Sequence, residues 1–267
     1  MRKILFSLIL MSFFYSKSQA QDGIVRGSTF VVKENTTHRI NDKLTIVDTL
    51  ILRKGATLTF EKDITDWELH CNVLVMEKGS RIKGVGADGE SKENVSQSPN
   101  GGSNGQNGHL GADGKNAQNG VNIKIFATSI FWGDFMINTS GGNGGSAGPG
   151  GEAAKGTNAT CDKRAGTGGN GGKGGDAGSG GDAGTIEITY QNMTIIGGGL
   201  LTSKNFKTGG GGPGKPGAGG KAGKGGNKRS GCANPLQNRS KGNNGHDGPV
   251  GNSGLYGKST TVVFTKI

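Results

Sequence analysis

The side chains with most scope for chemistry are cations gathered in two short polar stretches. Residues 227–241 carry Lys228, Arg229, Arg239 and Lys241 with no acid among them, and residues 155–165 carry Lys155, Lys163 and Arg164. Just upstream of the later stretch, Lys215, Lys221 and Lys224 recur at multiples of three. Ammonium and guanidinium groups at this density suit phosphate, sulfate or uronate, the guanidinium offering paired donors. A solvated charge run is the other reading of the same residues. Each stretch also holds a cysteine, Cys161 and Cys232, whose positions in two neighbouring polar tips predict a disulfide in an exported chain. It would close a loop of about 70 residues and contribute roughly 3 to 4 kcal/mol on the chain-entropy account. The third cysteine, Cys71, alternates with Trp67, Leu69 and Val73 and reads as a buried free thiol.

Other constellations carry less. Asp66, Glu68 and His70 alternate onto one face of a strand, where they could hold a metal or act as an acid/base pair, but an exposed polar strand face accounts for them more simply. Gly84-x-Gly86-x-x-Gly89 has dinucleotide spacing without the helix that should follow it. Asp176 and Asp182 lie in a glycine repeat of period three, not the nonapeptide that binds calcium. His109 and His246 define no metal site. No cofactor, no metal and no catalytic residue are expected, and the chain reads as a non-enzyme.

The elements that must position these groups are unusual. Glycine recurs at every third residue from Gly166 to Gly184, and the residue before each of the last six is Gly or Ala, leaving Asn170, Lys173, Asp176, Ser179 and Asp182 on one edge. Three residues per turn without internal hydrogen bonds is polyproline-II geometry, which glycine adopts readily, so the amides must be satisfied by neighbouring chains. A 19-residue rod of this kind would be about 60 Å long. Similar outgoing and returning runs bracket polar tips at residues 90–100, 155–165 and 227–241. The returning runs Gly102–Gly120 and Gly242–Gly257 keep glycine at only one position in three. In the first of these Asn104, Asn107, Asn116 and Asn119 share a register, and such runs belong on the outside of a bundle.

From Gly23 to Lys83 the pattern has period two, with turn signals at Lys54-Gly55-Ala56 and Lys78-Gly79-Ser80. Short strands follow the glycine runs at 122–126 and 135–138, at 185–190 and 193–196, around 200–206, and at 260–264. The predicted fold is all-β: a short parallel β-solenoid with inserted Gly-rich polyglycine-II hairpins packed as a bundle. A β-sandwich is the alternative for the strand region.

Composition sets the outer bounds. Glycine is 55 of 267 residues and proline only 6, which excludes a collagen triple helix. The periodicity of the glycines argues against a disordered linker. Arg2 and Lys3, the apolar stretch Ile4–Tyr15 and Ser18-Gln19-Ala20 read as a secretory signal over residues 1–20. A solenoid base over 21–83 and a Gly-rich region over 84–267 complete the division. Without Arg2, Lys3 and Lys17 the formal charge falls from +11 to +8. That favours polyanionic partners, although lysine would equally keep so Gly-rich a surface soluble. No transmembrane segment is expected in the mature chain, and no specific nucleic acid partner.

The runs Gly166–Gly184 and Gly211–Gly226, with the strands between them and the signal ending Ser18-Gln19-Ala20-Gln21, resemble the secreted Gly-rich proteins of Gram-negative bacteria, particularly Bacteroidetes. In physical design Gly84–Gly257 also resembles the polyglycine-sandwich adhesin at the tip of certain phage tail fibres, and the Gly-rich antifreeze protein of springtails. The phage resemblance implies recognition through the tips. Lys215, Lys221, Lys224 and the Lys173/Asp176 edge depart from the flat uncharged face that ice binding needs. The functional expectation is an adhesin-like extracellular or cell-surface protein whose basic tips take an anionic surface polysaccharide or lipopolysaccharide. A structural spacer, a glycan-active β-helix enzyme and an antifreeze protein are the alternatives.

Overall fold

The computed structural model describes residues 28–92, 103–197, 201–232 and 240–267. The expected signal, most of the first tip, and residues 233–239 of the third tip, Arg239 among them, lie outside the described residues.

Among the described residues the chain is all-β. Its strands are β1 (Thr29–Val32), β2 (Thr37–Ile40), β3 (Leu44–Leu52), β4 (Thr57–Phe60), β5 (Asp66–Met76), β6 (Arg81–Lys83), β7 (Asn122–Trp132), β8 (Met136–Asn138), β9 (Ile186–Ile195), β10 (Phe206–Lys207) and β11 (Val262–Lys266). Odd-numbered strands form one six-stranded sheet, and β10-β8-β6-β4-β2 form a five-stranded one. Every pairing is parallel, as between β5 and β7 or β6 and β8. A sandwich of antiparallel hairpins is therefore excluded, and the winding is solenoid-like. The expected pairs of short strands at 185–190 and 193–196 are one continuous strand, β9. The sequence pattern breaks there because pairing skips one position in each long strand, at Asp48, Asn72, Thr128 and Gln191.

Parallel pairing in register stacks like on like. Trp67, Ile123 and Ile186 form one buried column, and Leu52, Met76 and Trp132 another. Burying each such side chain stabilises by about 1.5–3 kcal/mol. At one corner of successive coils the chain turns through left-handed backbone at Asn35, Gly55 and Gly79, with φ of 54°, 67° and 74°. Glycine relieves the steric cost there in the two later coils.

The Gly-rich segments continue the strands without changing register. Ile123 pairs with Ile186 in the sheet, and the same spacing of 63 residues joins Asn122 to Thr185, Asn119 to Asp182 and so on back to Asn104 and Thr167. Likewise Ile186 pairs with Val262, and the spacing of 76 carries on from Thr260 and Gly184 to His246 and Asn170. The central returning segment, residues 166–184, bonds to four others. Gly172 N–H donates to Gly151 and Gly171 N–H to His246, while the Gly172 carbonyl accepts from Gly220 and that of Asn170 from Gly108.

One amide in three remains at the outward positions of this segment, and side chains of the preceding segment accept from it. The Oδ1 atoms of Asn104, Asn107, Asp113, Asn116 and Asn119 take the N–H groups of Thr167, Asn170, Asp176, Ser179 and Asp182 at 2.7–3.2 Å. In turn Asn170, Asp176, Ser179 and Asp182 take those of His246, Asn252, Leu255 and Lys258. Where Lys173 offers no acceptor, the residue opposite is Pro249, which has no N–H. Leu110 is the outward residue that stands opposite the Lys173 amide and cannot accept from it.

Candidate cationic tip site

Segments 140–159 and 208–228 lie side by side. Ala147, Ala153, Gly156 and Ala159 donate to the carbonyls of Lys215, Lys221, Lys224 and Asn227 at 2.9–3.0 Å. The spacing of 69 seen between Ser146 and Lys215, and between Asn158 and Asn227, sets Lys155 level with Lys224 and Glu152 level with Lys221. Two ammonium groups at one level on adjacent segments repel, and a bound anion would relieve that repulsion.

At the second tip a tight turn closes between Thr160 and Lys163. Thr160 N–H donates to the Lys163 carbonyl, and Lys163 N–H to Thr160 Oγ1, each at 3.0 Å. Cys161 sits at this turn and is disulfide-bonded to Cys232, with Cα atoms 5.8 Å apart. Gly231, in left-handed backbone at φ 77°, presents Cys232 to it. The bond draws Lys163 and Arg164 to the same tip as Lys228 and Arg229. Gly242 N–H donates to Gly226 at 3.0 Å, which brings Lys241 beside Asn227. Lys215, level with Ser146, stands well back from the tip and does not join the others.

All nine described cations are exposed. Among the described residues none of them forms an ion pair, whereas Lys115 pairs with Glu90, Lys173 with Asp176, Lys124 with Glu187 and Arg53 with Glu77. The acids nearest in sequence are Glu152 and Asp162. Apart from Lys215, these cations therefore gather toward a cross-linked end without an ion pair among the described residues.

The alternating residues of β5 lie on the outer face of the larger sheet. Asp66 accepts from Asn122 Nδ2 at 2.9 Å, and that bond, with one from Thr65, holds its carboxyl below the ordinary range. Glu68 and His70 pair with each other, and no group of three metal-ligating residues occurs among the described residues. Cys71 is a buried free thiol, and burial pushes its pKa up to about 12, which leaves it inert as a nucleophile. Sequence reasoning did not bring Phe126 beside His70, where the rings stack with centroids 4.7 Å apart. The 56-residue stagger between β5 and β7 decides that contact, and it depends on an insertion whose length the strand pattern does not encode.

No family model matches the chain, and no curated protein matches it. Among solved structures, the springtail antifreeze protein of Granisotoma rainieri, a bundle of nine polyproline type II helices, is similar at 23% identity over 66% of this chain and 96% of that one. The TM-score is 0.10.

Proposed function

We propose that this is an exported, non-enzymatic surface or matrix protein of the secreted Gly-rich type, whose cationic tips bind an anionic glycan or lipid headgroup. In this reading the Gly-rich segments are polyglycine-II rods packed as a bundle of hairpins, carried by the solenoid as rigid extensions of its coils. Support for the rods comes from hydrogen bonds that run between segments at every third residue. The observation that carries the function is the Cys161–Cys232 cross-link between two tips whose exposed cations form no ion pair among the described residues. A permanent tie between tips fixes the spacing of charges that a loose loop would leave variable, so less ordering entropy is lost on binding. Side chains that would be neutralised in a merely soluble surface are left free for phosphate, sulfate or carboxylate.

Retention of the oxidised protein on heparin resin and on lipopolysaccharide resin tests this. Replacing Lys228, Arg229, Arg239 and Lys241 together by Ser abolishes retention if the tips recognise the anion. Retention that survives the replacement overturns tip recognition and favours a spacer role.

A further inference from the structure

A trough of about 450 Å³ crosses the outer face of the larger sheet, away from the tips. Its floor is the backbone of Val47, Cys71 and Ala127, whose side chains point into the core. One wall is a row in register, Ile46, His70 and Phe126, continued by Thr189. The other wall is the row where pairing skips a position: Asp48, Asn72, Thr128 and Gln191. Asn72 donates to Asp48 at 2.7 Å, so adjacent coils are tied along this wall. The trough runs across four strands, about 14 Å at ordinary strand spacing.

The two walls differ in chemistry. The first presents an aliphatic side chain and a parallel stack of two rings, with Phe126 37% exposed. The second presents a carboxylate, two carboxamides and a hydroxyl. The floor's amides and carbonyls are engaged in the sheet, so a peptide strand would find no backbone partner there. No lysine or arginine lines the trough, which disfavours an anion. A sugar ring has one apolar C–H face and a rim of hydroxyls that both donate and accept, and its length along a polymer is close to one strand spacing. We propose that this trough is a second binding site, for a neutral polysaccharide lying along the solenoid axis with its apolar C–H faces against Ile46 and the apolar edges of the stacked His70 and Phe126 rings and its hydroxyls on the polar row. It is independent of the cationic tips.

Native electrophoresis through gels cast with hydroxyethylcellulose, xyloglucan or dextran tests the site. The full-length wild-type protein is expected to be retarded in at least one of them. Phe126→Ala weakens that retardation about tenfold, the effect of losing roughly one good ring contact. Thr128→Arg, at an exposed position, blocks the trough and does the same, and thermal unfolding establishes that each variant is folded. The quadruple Ser variant at the tips keeps neutral-polymer binding while losing heparin. Absence of retardation in all three gels, retardation of both folded trough variants equal to that of wild type, or loss of neutral binding in the tip variant overturns the proposal.

Discussion

The strand half and the glycine half of this molecule share a register but are held together by different parts of the residue. In the strands, columns such as Trp67–Ile123–Ile186 exclude water with side chains, and the backbone ladder is a shared framework. In the Gly-rich segments the side chain is what must be absent. A Cβ at Gly172 would run into the carbonyl oxygens of His109 and Gly108. There the order comes from amides answered by carbonyls of neighbouring segments and by Asn or Asp side chains. A parallel coil fixes the spacing of its neighbours, and either packing principle can then use that spacing.

Changes that loosen one half and spare the other sharpen this contrast. Replacing Cys161 and Cys232 by Ser opens a loop with a sequence separation of 71 and costs about 4 kcal/mol on the chain-entropy account. Amide exchange should rise between residues 140 and 260 and stay slow in β3, β5 and β7. Leu74→Ala, in the water-free core, costs about 2–5 kcal/mol in denaturant unfolding because it leaves a cavity. Gly172→Ala, which adds the one methyl that Leu74→Ala leaves behind, costs about 1–3 kcal/mol by overpacking against backbone. If Gly172→Ala is silent in thermal unfolding, the two halves are not built on opposite principles.

Leu110→Asn is expected to act in the other direction. Leu110 is 72% exposed and occupies the outward position where neighbouring residues accept an amide, so an Asn there can take the Lys173 N–H. The gain is about 0.5–1.5 kcal/mol, read as a raised melting temperature. The smallest effect is that of acid. Asp176 accepts from Asn252 N–H and from the Lys173 ammonium, which lower its pKa from 3.8 to about 2. Its contribution is complete above the ordinary value and is lost as pH falls through the folded one. Asp176→Asn keeps the acceptor but cannot protonate, so its melting temperature should fall less than wild type between pH 3.8 and 2.

The parts of this design differ in how far they can be read from the chain. The period-three glycines announce segments without room for side chains, and the period-two stretches announce strands with one buried face. The positions of Cys161 and Cys232 in adjacent polar tips predict their bond. The Asn row at 104, 107, 116 and 119 is visible as a register, but its work, taking amides 63 residues further on, is not. The grouping of Lys155 with Lys224, and the separation of Lys215 from the tip, depend on the same kind of stagger.

The sequence alone therefore determined which residues turn inward, which segments can approach backbone to backbone, and which tips carry charge, because these follow from local period and side-chain size. The tertiary structure decided which segment lies against which. Stagger between coils is set by the full length of each excursion out and back, and that length is summed only when the strands at its base pair. For that reason the ladder of Asn and Asp acceptors, the facing of Lys173 by Pro249, and the trough beside Phe126 exist in the folded chain and have no signature in any local stretch of it.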